Sequence, residues 1–287
     1  MSVEIIQARL AEYACQSTLE EEQAVREITQ EIILAALGRT DFFGRAGFQG
    51  GTCLRIFHGL NRFSEDMDFA LDAPDPTFEL GALLDRVRRE LSVYGYKFEI
   101  DDRSRVDAPV RQAFMKDDSV GRQLRLRYRP RGGPLRKLRI KLEVDTTPPA
   151  GASYAASVLD FPFPAAVRVF DLPSLFAGKL HALLCRDYLK GRDWYDFIWY
   201  TARRTLINHE LLSAALNQQG PWKNQGPRTD NAWCIERLRA VIMRLDWPQA
   251  RRDVQRFVRV HEQPSLALWT REFFLQQCAK LGEVRGA

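Results

Sequence analysis

Two short groups of residues have the types and the spacing that phosphate chemistry requires. The first is the diglycine Gly50–Gly51 with Thr52 after it, and the second is the pair Asp66 and Asp68. Two glycines at the start of a helix let backbone N–H groups approach phosphate oxygens, and the positive end of the helix dipole favours the same anion. Carboxylates two apart on a strand share one face and can hold one Mg²⁺. Together the groups predict transfer of a nucleotide from a metal-bound triphosphate.

Each group alone also has an ordinary structural explanation. Two glycines usually form only a turn, and Asp-x-Asp usually marks a solvated surface. The order of the groups and the apolar Met67 and Phe69 between and after the carboxylates favour chemistry, because this alternation is typical of a half-buried strand.

The sequence around these groups resembles the AbiEii/AbiGii-type nucleotidyltransferase toxins, which include MenT-like toxins. The matching blocks are Gly50–Arg55 with Gly59–Phe69, and Lys179–Arg186 with Gly191–Phe197. The resemblance spans roughly residues 45 to 200 and keeps the family's order of blocks. It implies an α+β fold with a polymerase-beta-like mixed-sheet core, Mg²⁺ or Mn²⁺ as cofactor and a nucleoside triphosphate as substrate.

The second block adds a cation pair and an aspartate pair. Lys179 and Arg186 are seven apart and share a helical face, whereas Asp193 and Asp196 are three apart on the next predicted helix. Two cations on a stripe are usually solvated surface residues. The resemblance reverses that preference, because this lysine and an aspartate of the Arg-Asp-x-x-Asp block are catalytic in the similar toxins. We favour Asp193 for this role, since it directly follows the predicted loop.

The candidate site residues fall into a catalytic set and a nucleotide-binding set. The expected catalytic residues are Asp66, Asp68, Lys179, Asp193 and Asp196. The expected nucleotide-binding residues are Gly50, Gly51, Thr52, Arg62, Ser64, Glu65 and Arg186.

A strongly basic segment lies in the middle of the chain. Nine cations and no carboxylate occur from Arg122 to Lys141. Residues 124–128 and 138–144 alternate apolar with charged side chains around a Pro- and Gly-rich stretch, which predicts a hairpin with one basic face. A basic face suits a polyanion. The expected RNA-binding residues on it are Arg125, Arg127, Arg139 and Lys141.

Glu143 lies on the same face as these cations. Polymerase-like nucleotidyltransferases commonly bring in a third carboxylate from a neighbouring strand, so Glu143 is a candidate metal ligand beside Asp66 and Asp68. A solvated strand face explains Glu143 equally well, because spacing alone does not bring its strand beside Asp66.

The local patterns predict the elements that position these residues. A capping box at Thr18–Glu21 begins a helix that ends near Gly38. Further predicted elements are strands at 43–49, 66–71, 96–100 and 167–170, and helices at 51–58, 78–93, 173–187, 193–203, 232–245, 249–261 and 267–281. We expect a nucleotidyltransferase core with N-terminal helices over 1–170 and a mainly helical domain over 171–287 that completes the active-site cleft.

Composition bounds the class of protein. An apolar fraction of 45% with 28% charged residues is ordinary for a soluble globular chain, and neither a membrane-length apolar run nor a signal segment is present. We therefore expect a cytoplasmic location and no membrane partner. The five cysteines lack C-x-x-C spacing, which argues against a disulfide framework and a zinc site.

The residues and the resemblance together predict a toxin of a toxin–antitoxin or abortive-infection system. Its expected activity is tRNA modification, with a nucleotide added to the 3′ end, and its expected protein partner is a cognate antitoxin. A protein or small-molecule acceptor, as in antibiotic-modifying nucleotidyltransferases, is the alternative for an enzyme. A non-catalytic RNA- or nucleotide-binding protein is the alternative for a binding module.

Overall fold

A mixed seven-stranded sheet is the central feature of the computed structural model, which describes residues 2–105, 108–128 and 137–283. The strands are β1 (Ala46–Gln49), β2 (Asp66–Leu71), β3 (Glu99–Asp102), β4 (Val110–Asp117), β5 (Leu138–Asp145), β6 (Tyr154–Leu159) and β7 (Ala165–Phe170). Their order across the sheet is β3-β4-β5-β2-β1-β7-β6.

Helices surround these strands in the sequence. They are α1 (Ser2–Glu12), α2 (Thr18–Gly38), α3 (Gly50–His58), α4 (Leu80–Ser92), α5 (Ser119–Gln123), α6 (Leu172–Cys185), α7 (Gly191–Ala202), α8 (His209–Gln218), α9 (Asn231–Ile242), α10 (Trp247–Gln255) and α11 (Arg271–Ala279). A mixed sheet with these helices confirms the predicted α+β fold. None of the described helices has the length and apolar character that a membrane-spanning helix needs.

The chain divides into two compact units. Unit 1 contains Met1–Gly59, Phe63–Pro148 and Ala156–Val169, and unit 2 contains Leu60–Arg62, Pro149–Ala155 and Phe170–Ala287. Unit 1 holds the sheet apart from the first two residues of β6 and the last of β7. Unit 2 is mainly helical and includes the short segment with Arg62.

The middle of the sheet follows from the alternation of β2. Met67 and Phe69 are buried and point away from the half-buried Asp66 and Asp68. β2 pairs antiparallel with β1 and parallel with β5, so both of its edges are hydrogen-bonded. A strand held on both sides keeps the two carboxylates in a fixed register.

The predicted basic hairpin is wrong in its first strand. Residues 124–128 form no strand, and β5 instead pairs antiparallel with β4. The backbone N–H groups of Arg127 and Tyr128 donate to the two carboxylate oxygens of Glu21 at 2.6 and 3.0 Å. The segment is therefore held by side chains of the N-terminal helices instead of a ladder. The predicted turn at 130–134 lies outside the described residues, as do Arg129, Arg131 and Arg136.

Several other predicted elements need correction. The predicted strand at 96–100 begins only at Glu99, and α1, α5, α8, β4 and β6 were not predicted at all. The capping box lies one residue earlier than expected, because the hydroxyl of Ser17 accepts from the N–H of Glu20 at 3.2 Å. The Thr18 hydroxyl donates to the carbonyl of Tyr128 instead. β2 has the predicted bounds of 66–71, and most of the remaining predicted elements occur with shifted ends.

Candidate active site

Asp66 and Asp68 project from one face of β2 in unit 1, as their spacing predicted. Both side chains are half-buried, between the buried Met67 and Phe69. The main-chain position of Asp66 is fixed by Thr52, whose buried hydroxyl donates to the Asp66 carbonyl. In this arrangement Thr52 ties the first turn of α3 to the start of β2, so its hydrogen is already used. Its predicted contact with phosphate stays a prediction.

The strand beside β2 answers the question that spacing left open for Glu143. β5 runs parallel to β2, with Glu143 in register with Asp68 and Lys141 in register with Asp66. Registered residues of parallel strands point to the same face, so Glu143 lies on the face of the carboxylate pair. Its carboxylate pairs with Lys141, with Nζ 2.8 Å from Oε2. Glu143 is adjacent to Asp68, and its role as a metal ligand stays a prediction.

Gly50 and Asp68 approach each other closely at the start of α3. Gly50 has φ of +78°, and a Cβ atom added there would lie 2.2 Å from Oδ2 of Asp68. A side chain at this position would be strained by the backbone and would displace the carboxylate. The glycine therefore permits a helix N-terminus and a carboxylate to occupy neighbouring positions.

Ser64 and Glu65 immediately precede β2, and their main-chain carbonyls accept hydrogen bonds. Gln30 of α2 donates its amide to the carbonyls of Ser64 and Glu65, at 3.3 and 3.0 Å. The Ser64 side chain is buried. These contacts support a positioning role for the segment, and nucleotide binding by the two side chains stays a prediction.

The donor set of this site fits a hard divalent cation. Among the described residues, no group of three or more His, Cys, Asp and Glu side chains is arranged to hold a metal ion. Asp66 and Asp68 supply two carboxylates, and Mg²⁺ is commonly held by one or two carboxylates with waters and substrate phosphates completing the octahedron. The absence of a side chain at Gly50 lets the Asp68 carboxylate lie against the start of α3.

A second cluster of charges lies in unit 2 and centres on Lys179. Its Nζ is 2.7 Å from Oδ1 of Asp193 and 2.7 Å from Oδ2 of Asp196. The two aspartates lie on one face of α7, as their spacing predicted. Burial acts to lower the pKa of Lys179, but attraction to Asp193 and Asp196 outweighs it and raises the pKa above the usual value. Lys179 is therefore a permanent cation near neutral pH.

Arg62 belongs to the same cluster. Its Nε and Nη2 donate to the two carboxylate oxygens of Asp196, each at 2.6 Å, and both side chains are buried. Sequence reasoning assigned Arg62 to nucleotide phosphates and Asp196 to catalysis. The bidentate pair shows instead that Arg62 and Asp196 already bind each other, and their predicted roles toward substrate stay untested.

Asp193 bridges Lys179 to Arg186. Nη1 of Arg186 donates a hydrogen bond to Oδ2 of Asp193. Burial acts to raise the pKa of Asp193, but Lys179, Arg186 and Lys190 together lower it far below the usual value. A carboxylate so strongly ionised is a weak proton acceptor. Arg186 also differs from its predicted place on a helix, because it is the C-cap of α6 and its backbone is extended.

The predicted RNA-binding residues form two sets in unit 1. Arg125 and Arg127 are exposed on the segment that precedes the undescribed residues. Arg139 and Lys141 are on β5, where the guanidinium of Arg139 lies over the Phe114 ring, 3.8 Å from its centroid. Sequence reasoning missed that Lys141 pairs with Glu143 on the carboxylate face. The alternation of β5 contained the signal, but its neighbouring strand was not known.

The fold is shared with solved structures of other proteins. Two crystal structures share the fold, one of an H. pylori protein assigned as a nucleotidyltransferase and one of JHP933 from Helicobacter pylori. The first is 17% identical with a TM-score of 0.53, covering 91% of this chain and 97% of its own. The second is 18% identical with a TM-score of 0.54, covering 92% and 94%. No curated protein matches the sequence significantly.

The family is shown by the sequence itself. Residues 32–276 match the model of the family described as nucleotidyl transferase AbiEii toxin, type IV toxin–antitoxin system. The chain belongs to this family and is a nucleotidyltransferase. The match extends beyond the blocks that carried the resemblance and includes most of unit 2. Membership in a toxin–antitoxin family also implies an antitoxin as partner.

Proposed function

We propose that this enzyme transfers a nucleoside monophosphate from a triphosphate to a hydroxyl group of RNA, with the 3′ end of tRNA as acceptor. The observation that carries the proposal is the position of Asp68. It lies beside Asp66 on β2, in register with Glu143, and against Gly50 at the first turn of α3. Carboxylates for a metal and a helix N-terminus for phosphates are thus neighbours in unit 1.

The triphosphate would be held by backbone and by metal. The first N–H groups of an α-helix have no partner within the helix, and the N-cap residue Gln49 accepts no hydrogen bond from α3 with its side chain. Such N–H groups near Gly50 and Gly51 are donors suited to phosphate oxygens. Asp66 and Asp68 would hold Mg²⁺ or Mn²⁺, which when bound offsets negative charge on the phosphates. In the transfer, the acceptor oxygen bonds to the α-phosphorus, the bond to the bridging oxygen breaks, and pyrophosphate leaves. The hydroxyl proton is released to solvent water.

The Lys179 cluster supplies positive charge. Arg62, Lys179 and Arg186 pair with Asp193 and Asp196, so these five groups sum to one net positive charge. Fixed cations stabilise charge that develops on phosphate oxygens. We assign Asp193 to holding Lys179 and Arg186 in place, because its low pKa makes it a poor base.

RNA is the acceptor that the charge distribution favours. Arg125 and Arg127 are exposed on a segment whose backbone is fixed by Gln7 and Glu21. Exposed arginines on a fixed segment can contact several phosphates without a large loss of entropy on binding. A toxin that modifies tRNA acts in the cytoplasm, where the antitoxin would neutralise it.

The proposal is tested by supplying total RNA and each of four α-labelled triphosphates in turn. We expect label in RNase-sensitive bands of tRNA size, which disappear when a chelator removes divalent metal. Label in protein bands or in small molecules would show that the acceptor is a protein or a small molecule and not RNA. An absence of label with every triphosphate, in the presence of metal, contradicts the proposal.

A further inference from the structure

Unit 2 contains a cavity beside the Lys179 cluster, to which the proposed function assigns no ligand. Its volume is about 470 Å³, within the range of about 300–1,000 Å³ that is common for small-ligand sites. The end of α6, the loop to α7 and the residues after α9 form its walls. The lining residues that matter to the argument are Arg186, Asp187, Tyr188, Lys190, Asp193 and Arg244.

The charges around this cavity favour an anion. Three cations line it, against Asp187 and an Asp193 that already binds Lys179 and Arg186. Lys190 is half-buried, and burial is the main reason its pKa is lowered. Asp193 attracts Lys190 but forms its close ion pairs with Lys179 and Arg186, so an anionic ligand would add to the compensation of this desolvated ammonium. Arg244 uses only Nε in a described contact, to the Ala240 carbonyl at 3.1 Å.

An aromatic side chain stands at the same cavity. Tyr188 is 65% exposed, which is high for a large aromatic residue. The guanidinium of Arg186 lies 5.8 Å from the centroid of its ring. An exposed ring beside cations is the combination with which proteins stack a base while they bind its phosphate.

We propose that this cavity binds one nucleotide unit, with the base stacked on Tyr188 and the phosphate between Lys190 and Arg244. The choice of a nucleotide as ligand rests on the proposed function. Two sources share this chemistry, the donor triphosphate and the terminal nucleotide of the RNA acceptor. Asp193 belongs both to the cavity and to the Lys179 cluster, because it lines the cavity and its carboxylate binds Lys179.

The test measures equilibrium binding of two probes separately, so that no transfer occurs. One probe is a short single-stranded RNA with a free 3′ hydroxyl, and the other is each nucleoside triphosphate with Mg²⁺. Tyr188→Ala and Arg244→Gln change exposed side chains, and a melting curve for each variant checks the fold. Tyr188→Phe keeps the ring, and Arg237→Gln removes the same charge from α9 outside the cavity lining.

We expect Tyr188→Ala and Arg244→Gln each to weaken one probe by about fivefold or more, because a stacked base and a cation contact contribute at least that much. Tyr188→Phe and Arg237→Gln should stay within about twofold of the unchanged chain. Loss confined to RNA identifies the acceptor's terminal nucleotide, and loss confined to triphosphate identifies the donor. If both cavity variants bind both probes as Arg237→Gln does, the proposal is overturned.

The outcome is independent of the transfer reaction. Weakened binding in the cavity variants, with no transfer by the unchanged chain, would retain the nucleotide site and reject the proposed function. Normal binding in the cavity variants, with transfer by the unchanged chain, would reject the nucleotide site and retain the proposed function.

Discussion

Arg62 donates two hydrogen bonds to Asp196, at 2.6 Å each, although 134 positions separate them in the sequence. Both side chains are buried, with 2% and 0% exposed. Removal of one partner from such a pair leaves the other charge buried without full compensation. Arg62 and Asp196 therefore contribute first to the structure of unit 2.

We expect Asp196→Asn to lower the free energy of unfolding by about 3–5 kcal/mol, the usual cost of breaking a buried ion pair. Glu236→Gln is the control, because Glu236 forms only an exposed pair with Arg237 at 3.7 Å and should cost less than about 1 kcal/mol. Urea unfolding of both variants measures the difference. Equal stability of the two variants would contradict the buried-pair assignment.

This pair shows where sequence reasoning succeeded and where it failed. β2 and the start of α6 were predicted because their signals are local. In α6, for example, Asp171 accepts the N–H of Ser174 at 2.9 Å, as a capping residue does. The partner of Arg62 was not predictable, since a buried arginine and an exposed one look alike in a sequence.

β4 was missed for the same physical reason. It contains Arg111, a residue type that is usually exposed, yet the side chain is buried and donates to main-chain carbonyls, including those of Arg105 at 2.6 Å and Ala108 at 2.7 Å. The strand predicted next to β5 was placed at 124–128, because apolar and charged residues alternate there. Local alternation identified β5 and the face that carries Glu143, but the neighbours of β5 depend on long-range pairing.

The protonation of Lys179 predicts a specific pH dependence. Its pKa is raised by Asp193 and Asp196, so its stabilising effect is complete below the unfolded-state pKa of about 10.4 and is lost only as pH rises through the higher folded-state value. Between pH 7 and pH 10, the unchanged chain and Lys179→Arg should therefore show parallel free energies of unfolding. A fall between pH 8 and pH 10 in the unchanged chain alone would mean that Lys179 titrates there.

The close approach of Gly50 to Asp68 can be tested by comparing substitutions at Gly50 and at Gly59, a control glycine. Both have positive φ, but an added Cβ would meet Asp68 only at Gly50, and nothing within 4 Å at Gly59. Gly59→Ala should cost about 1–2 kcal/mol of stability for the backbone alone, with transfer retained. Gly50→Ala should in addition lower transfer about 10²-fold, because it displaces a carboxylate. Equal transfer rates in the two variants would show that the position of the Asp68 carboxylate does not affect transfer.

Arg125 and Arg127 should contribute to RNA affinity through phosphate contacts. The double variant Arg125→Gln/Arg127→Gln should reduce the slope of log affinity against log salt by about 1.4–1.8, because two contacts no longer release counterions. Arg86→Gln/Arg89→Gln removes the same charge from exposed positions of α4 and should leave the slope unchanged. If both double variants have the same slope, the segment at 124–128 is not part of the RNA path.

The central claim is that Asp66 and Asp68 hold the metal for nucleotide transfer. The most direct measurement is the rate of label transfer from triphosphate to RNA by Asp66→Asn and Asp68→Asn, with Asp72→Asn as the control. Asp72 follows the far end of β2 and forms a partly exposed pair with Arg168 at 2.9 Å. We predict a loss on the order of 10³-fold or more in each of the first two variants, since a catalytic metal supplies several kcal/mol of charge stabilisation, and a near-normal rate in the third. Near-normal transfer by folded Asp66→Asn or Asp68→Asn would contradict the account.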